Sequence, residues 1–237
     1  FNNIVIATSD AAAEHHRRTN LVPRSALRTQ ANFIDPRAFP VPSLEQRQAS
    51  RKELGLADDT FVIGSVGFID DRKNQIDLVR ALGGLVHSVP NVRLLLVGGH
   101  NTDYIAELHP IADELGVRDN IILTGVRTDI AHLLAAVDVY ALVSRKESGP
   151  LSVLEAMSTG LPVLATHVGM LPDFVRDGIG GYIVGVGDIT AMTDRLTAMA
   201  QDNSRRKAMG VAAHGIVNND YSIDQIGPQT EAILAEA

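Results

Sequence analysis

The 237-residue sequence has no cysteine and no tryptophan, only four lysines, and 4% aromatic residues. Without cysteine there can be no disulfide, no thiol nucleophile and no cysteine-bound zinc, a composition that fits a reducing compartment. Each lysine follows an arginine, as Arg51-Lys52, Arg72-Lys73, Arg145-Lys146 and Arg206-Lys207, and no Gly-Lys pair occurs. A P-loop needs Gly-Lys-Ser/Thr so that backbone amides and the ammonium cradle phosphates together, which excludes the Walker-type triphosphatases. Neither a His-Glu-x-x-His nor an Asp-x-Asp spacing is present, so a metal held by such a motif is not expected. No apolar run approaches the ~20 residues that a bilayer span requires.

What is present describes an ordinary globular chain, 45% apolar with a mean hydropathy of +0.07, long enough for one large domain or two small ones. The net charge of −7 is unevenly spread, about +4 over residues 1–52 and −11 over the remainder. Arg17, Arg18, Arg24 and Arg28 carry much of the positive end, but no aromatics interleave with them to stack on bases. They read as a solvated or inter-domain face, with nucleic acid not expected as a partner. The chain opens at Phe1 and runs almost at once into the strand-like Asn3-Ile4-Val5-Ile6-Ala7, which gives the expectation of a piece of a longer protein.

From residue 60 onward short β-branched runs alternate with longer amphipathic ones. Strands are expected at 61–66, 92–97, 121–124, 137–143, 162–165 and 182–184, and helices at 75–87, 104–115, 130–136 and 151–158. Further helices fill the C-terminus, one of them capped by Asp188. Near-continuous apolar strands embedded between helices argue an α/β fold, a parallel sheet covered on both faces. Pro36, Pro40 and Pro42 separate the opening from a helix at 44–54 and mark a linker.

Ligands in such sheets bind outside the carboxyl ends of the strands, where the topology switches. Three of the loops there carry chemistry. Ser144-Arg145-Lys146-Glu147-Ser148-Gly149-Pro150 enters the helix that contains Glu155. Proline in a first turn loses no hydrogen bond, Gly149 lets backbone approach a ligand, and the unpaired amides of Leu151 and Ser152 with the helix dipole make an anion site suited to a pyrophosphate. A capped helix with nothing bound is the plainer reading. Glu147 and Glu155 are spaced to accept sugar hydroxyls on either side of such a phosphate, whereas a glycosidase needs carboxylates facing one another across a bond. For Glu155 alone, a surface helix glutamate is the plainer reading. In residues 67–73, Arg72 and Lys73 are placed to neutralise a diphosphate, or are solvated cations. In Gly125-Val126-Arg127-Thr128-Asp129, flexible backbone faces a base and Arg127 stacks or forms a salt bridge, or else Thr128 or Asp129 caps the next helix.

Together these segments resemble the large retaining glycosyltransferase family 4, of GT-B fold. Glu147-Ser-Gly-Pro-Leu-Ser-Val-Leu-Glu155-Ala-Met-Ser-Thr-Gly-Leu-Pro-Val resembles its E-x7-E signature. Residues 67–74 are similar to its phosphate loop, Leu94-Leu-Leu-Val-Gly98-Gly99 to its L-x-x-V-G strand end, and Thr124-Gly125 with Asp138-Val-Tyr-Ala-Leu-Val-Ser144 to the stretch that follows. Thr166-His-Val-Gly169-Met-Leu-Pro-Asp173, Asp177-Gly178 with Gly181, and Asn32-Phe-Ile-Asp35 fall in the family's order.

The resemblance implies a Rossmann-like donor-binding domain over residues 42–237, preceded over 1–41 by a linker and the last β-α-β remnant of an acceptor domain. It implies that Lys73 contacts the donor diphosphate, that backbone of Ser148, Gly149, Pro150 and Leu151 holds its β-phosphate, and that Glu147 meets the transferred sugar. Glu155 would take the ribose, and backbone of Gly125, Val126 and Arg127 the base. The implied function is transfer of a hexose from a nucleotide sugar to a glycan or lipid, with retention and without a metal or other cofactor. The implied partner is the protein's own acceptor domain, in the cytoplasm, with room for peripheral contact at the inner membrane face through that domain.

Two places depart from the family pattern: Phe68 stands where most members have arginine, and Met170 follows Gly169 in place of a second glycine. Arg72 is the candidate to replace the missing cation. Arg51-Lys52 and Arg206-Lys207, by contrast, are expected in exposed helices away from the cleft. Competing readings are another GT-B enzyme half such as an epimerase or phosphorylase, an inactive nucleotide-binding or interaction module in which Phe68 marks lost activity, and a dinucleotide oxidoreductase. The last lacks its Gly-x-Gly-x-x-Gly.

Overall fold

A computed structural model describes residues 4–236 of the chain. Asn3, at the head of the strand-like opening, lies outside the described residues. The opening is a small β-α-β unit: β1 (Val5–Ala7), α1 (Asp10–Thr19) and β2 (Leu27–Thr29), with β1 and β2 parallel and Val5 opposite Leu27. Ser9 starts α1 by accepting a hydrogen bond from the Ala12 amide.

After the prolines, α2 (Leu44–Glu53) begins with a capping box in which Ser43 and Gln46 satisfy one another's backbone amides. Strand and helix then alternate as the apolar periodicity predicts: β3 (Phe61–Val66), α3 (Gln75–Leu85), β4 (Val92–Val97), α4 (Thr102–Glu114), β5 (Ile121–Leu123), α5 (Ile130–Leu134), β6 (Val139–Leu142), α6 (Leu151–Ser158) and β7 (Val163–Thr166). They are followed by α7 (Leu171–Val175), β8 (Gly181–Val184), α8 (Ile189–Gln201), α9 (Asn203–Asp220) and α10 (Ile223–Ala235). Asp188 caps α8 by accepting from the Ala191 amide at 3.0 Å. The short α7 adds to the elements expected from periodicity, and Val137 falls in the turn before β6, where its amide donates to the Leu134 carbonyl at 3.1 Å and its side chain packs against Gly64 of β3.

The main sheet has the order β5-β4-β3-β6-β7-β8, every pair parallel. Successive strand residues feed opposite faces, as the period of two requires. Phe61, Ile63, Leu94, Leu96, Val139 and Ala141 pack with residues of α3, α4 and α8, while Val62, Leu95, Val97, Tyr140 and Leu142 pack with residues of α5, α6, α7 and α9 on the other side. A double-sided core of this kind explains why the strands read as unbroken apolar runs.

The chain's end returns to its beginning. The Ile34 amide donates to the Tyr221 carbonyl and the Ile223 amide to the Ile34 carbonyl, Gln30 donates to Thr230 on α10, and Arg28 pairs with Glu236 at the C-cap of that helix. The linker is therefore fastened to the main sheet's helical layer, and it delivers Asn32 to the loop that precedes α6.

Candidate functional site

In the strand order above, chain progression reverses direction between β3 and β6. The crevice beyond their carboxyl ends is where an open α/β sheet binds its ligand. The two loops bounding it are residues 67–73 and 144–150, the two richest in charge.

Each loop is locked before any ligand arrives. Asp70 accepts from the Lys73 amide at 2.8 Å, and Gln75 both accepts from the Asp70 amide and donates to the Phe68 carbonyl, at 3.3 and 3.1 Å. Asn74 closes the turn in the left-handed region at φ 58°, a conformation that asparagine tolerates better than most residues. Its side chain donates to the Val143 carbonyl and to Asp77. The Arg145 amide donates to the Arg72 carbonyl at 2.9 Å, which stitches one loop to the other.

The side chains then converge on one carboxylate oxygen. Ser144 Oγ donates to Glu147 Oε1 at 2.7 Å, Lys73 Nζ lies 2.7 Å from the same atom, and Arg72 Nη1 lies 3.2 Å from it. The side chains of Lys73 and Glu147 are 9% and 7% exposed, whereas that of Arg72 is 49% exposed. Arg72 thus reaches the cluster from solvent. Beside them an open cavity of about 380 Å³ is lined by Asn32, Arg72, Lys146, Glu147, Ser148, Gly149 and Pro150.

Pro150 occupies the N-cap of α6, one place earlier than a first-turn residue, and no side chain caps that helix. The Val153 amide donates to the Pro150 carbonyl at 3.3 Å, no side chain accepts from the amides before it, and Gly149 and Pro150 bring the positive end of the helix dipole to the cavity. Gly169 holds the rear of the loop at φ 53°: a Cβ there would come within 2.2 Å of the Glu147 carbonyl oxygen, so the close approach requires glycine. Met170 does not disturb this contact, since its amide donates to the Ser148 carbonyl at 2.9 Å while its side chain is buried.

Glu155 sits one turn into α6, half-buried, and burial raises its pKa above the ordinary carboxylate value. Below it, Tyr140 is fully buried with its hydroxyl donating to the Val66 carbonyl at 3.2 Å, and desolvation pushes its pKa up so that it stays a neutral donor.

The third loop lies beyond β5. Gly125 takes φ 69° and its carbonyl accepts from the Gly98 amide, while Val126 is 78% exposed. Arg127 forms the salt bridge that the sequence left open, to Asp129 and to Glu53, and it holds the Asp129 carboxyl down at about 2. Asp129 occupies the N-cap of α5 but makes no side-chain cap bond, so the capping alternative fails for it: its oxygens are spent on Arg127. Glu53, Asp129 and His132 are close enough to share a cation, but Arg127 already neutralises both carboxylates.

One expectation is corrected outright. Arg51 is 2% exposed, not on a free helix surface, and with Arg47 and Arg206 it gathers around Asp138 at the opposite end of the sheet. Helical periodicity places Arg51 on the face of α2 that meets the sheet, and only the tertiary partner shows that a charge can be sustained there. Asn32 and Gln75 hold the two loops in place, roles that the sequence alone does not assign. For Asn32 the signal was present, because it opens a segment similar to a family motif. For Gln75 there was none beyond its place at the start of a helix.

The family model for glycosyl transferases group 1 matches residues 46–215. The chain belongs to that family. As a group 1 glycosyl transferase domain it is 30% identical over 211 residues to an N-acetyl-alpha-D-glucosaminyl L-malate synthase of Bacillus anthracis, covering 89% of this chain and 54% of that enzyme. It is 33% identical over 208 residues to a GDP-mannose-dependent alpha-(1-6)-phosphatidylinositol monomannoside mannosyltransferase of Mycolicibacterium smegmatis, covering 83% and 53%. Its structure superimposes on Anabaena HepE in complex with UDP-glucose with a TM-score of 0.91 at 25% identity, over 99% of this chain and 64% of that one. The chain thus spans about half the length of these curated relatives, and its parallel six-stranded sheet is the Rossmann-like arrangement of the GT-B fold.

Proposed function

We propose that this domain is the donor-binding half of a retaining hexosyltransferase that takes a nucleotide sugar and serves a glycan or lipid acceptor. The observation that carries the reading is the meeting of Lys73, Arg72 and Glu147 at the switch of strand direction, beside the helix start that has no side-chain cap. Cations and amides on that side suit a diphosphate, and a carboxylate between them and the cavity suits sugar hydroxyls. UDP-glucose bound by Anabaena HepE and the GDP-mannose dependence of the mycolicibacterial relative support a nucleotide sugar as the ligand class.

In this reading Lys73 and Arg72 neutralise the diphosphate as it leaves, the amides of the Ser148 to Leu151 segment hold its β-phosphate, and Glu155 accepts from the ribose hydroxyls. Backbone of Gly125, Val126 and Arg127 meets the base. Glu147 orients the transferred sugar near the anomeric carbon and is not assigned as a nucleophile. The acceptor oxygen bonds to that carbon on the face from which the diphosphate departs, and its proton passes to the departing phosphate oxygen. Positive charge for the leaving group comes from side chains and the helix dipole, and the reaction as proposed uses no metal.

The acceptor site, and any peripheral membrane contact made through it, belongs in this proposal to the other half of the enzyme. Among the described residues no helix is long and apolar enough to cross a membrane. Calorimetry of UDP, GDP and ADP and their sugars against the wild type, Glu155→Ala and Lys73→Ala tests the reading. One nucleotide should bind saturably and weaken in both variants, while residues 1–237 alone transfer no sugar. Absence of binding by every nucleotide would favour an inactive interaction module.

A further inference from the structure

Phe68 is a large apolar side chain, 50% exposed, at the rim of a site otherwise built from charges. Its ring lies over Gly99. A Cβ on that glycine would come within 3.3 Å of Phe68 Cε2 and 3.4 Å of Val126 Cγ2, so two exposed apolar side chains from the loops after β3 and β5 converge on the one residue that offers no side chain. The backbone beneath them is tied across three strands: the Ile69 amide donates to the Gly99 carbonyl at 2.8 Å, the Asn101 amide to the Ile69 carbonyl at 2.9 Å, and the Gly98 amide to the Gly125 carbonyl at 2.9 Å. Gln75 fixes the Phe68 carbonyl itself.

The result is an exposed apolar patch in which Phe68 and Val126 meet over the bare backbone of Gly99. It lies on the same edge of the sheet as the Lys73–Glu147 crevice, and Phe68 and Lys73 share one loop. Exposed aromatic surface on a backbone tied in this way, next to a cluster of cations, fits a ligand that has a flat π-face at one end and phosphates at the other.

We propose that Phe68 is a binding residue whose exposed ring face stacks on the base of the bound nucleotide, with Val126 beside it over Gly99. This rests on the nucleotide-sugar reading above and adds a side-chain contact to what was there a backbone contact. An aromatic ring accepts any base by its π-face, so it adds affinity for the nucleoside part without adding charge at the phosphates.

The sequence has no tryptophan, so Phe68→Trp places a single fluorophore in the patch. Titration with UDP, GDP and ADP should quench or shift its emission for the nucleotide that calorimetry shows to bind, and inorganic pyrophosphate should leave it unchanged. Phe68→Ala should weaken that nucleotide by about 5- to 100-fold while pyrophosphate affinity stays constant. If the bound nucleotide leaves the tryptophan emission unchanged and Phe68→Ala binds it as tightly as the wild type, Phe68 has no contact with the base and the inference is wrong, although the donor site stands. Equal loss of nucleotide and pyrophosphate would also overturn it, by placing Phe68 at the phosphates. If no nucleotide binds the wild type, the donor reading fails and takes this inference with it.

Discussion

The two ends of the main sheet each gather cations around one nearly buried carboxylate, and they use it differently. At the amino end, Asp138 is closed on both oxygens: Arg47 lies 2.7 Å from Oδ1, the Val62 amide donates to Oδ2 at 2.9 Å, and Arg51 and Arg206 stand at 3.6 and 3.9 Å. Those arginines are also spent on backbone carbonyls, Arg47 on Ala135 and Val137, and Arg206 on Met199. At the carboxyl end, Ser144, Lys73 and Arg72 all contact Oε1 of Glu147, and Oε2 takes none of these bonds. A carboxylate saturated by its own protein ties elements together, whereas one left half-free is ready for a ligand's hydroxyl. The larger of the two cavities, about 550 Å³, lies at the saturated end, so size and site chemistry point to opposite ends of the sheet. Chemistry and sheet topology point to the smaller one.

The largest expected effect separates these roles. Asp138→Ala leaves Arg51 buried without its counter-charge and should cost about 3–5 kcal/mol of stability in denaturant unfolding. At a temperature where the variant is folded, nucleotide affinity should be unchanged. Loss of affinity at full folding would break the division between the two ends.

Next in size is Lys73→Ala. A charge-assisted bond to phosphate contributes about 1.5–3 kcal/mol, so the nucleotide dissociation constant should rise by roughly 10- to 100-fold in calorimetry. An unchanged constant would reduce Lys73 to a structural partner of Glu147.

Sequence carried most of this comparison at one end and little of it at the other. The strands and helices of the main sheet were legible because apolar residues recur with the periods of parallel sheet and amphipathic helix, and Asp188 announced its helix by type and place. Lys73, Glu147 and Glu155 were legible through loop position and the order of motifs. That Lys73 and Glu147 touch was not, since the contact depends on how the loops after β3 and β6 fold toward one another. Arg51 and Arg206 carry the expectation of exposed charge, because a single sequence gives no sign that arginines from α2 and α9 share an aspartate from the turn before β6. Asn32 bridging to the Gly149 carbonyl was hidden for the same reason: 117 residues separate them.

That bridge gives a smaller prediction. Asn32→Ala frees the carbonyl that orients the loop ahead of α6, at a cost typical of a neutral hydrogen bond, about 0.5–1.5 kcal/mol. Diphosphate affinity should fall roughly 2- to 10-fold, alongside a drop in melting temperature of about 1–6 °C. A melting temperature that falls while affinity holds would make Asn32 a fastener of the linker only.

The smallest effect is one of pH. Burial raises the pKa of Glu155 in the free protein, and hydroxyl donors from a bound ribose would favour the ionised form and lower it. Binding therefore releases a proton over the interval between the two values, and affinity should rise with pH through the free-protein pKa, then level off. On acidification affinity should begin to fall at a pH above the ordinary glutamate range. Glu155→Gln should bind more weakly at neutral pH and lose this component of the pH dependence.

The central claim is that the switch of strand direction, with Glu147 half-free beside Lys73, is the nucleotide site. A crystal structure of the chain soaked with UDP or GDP tests it most directly. The diphosphate is expected at the first amides of α6 within contact of Lys73, and the base over Phe68 and Gly99. An ordered nucleotide among Arg47, Arg206 and Lys207 in the cavity at the other end of the sheet would contradict it.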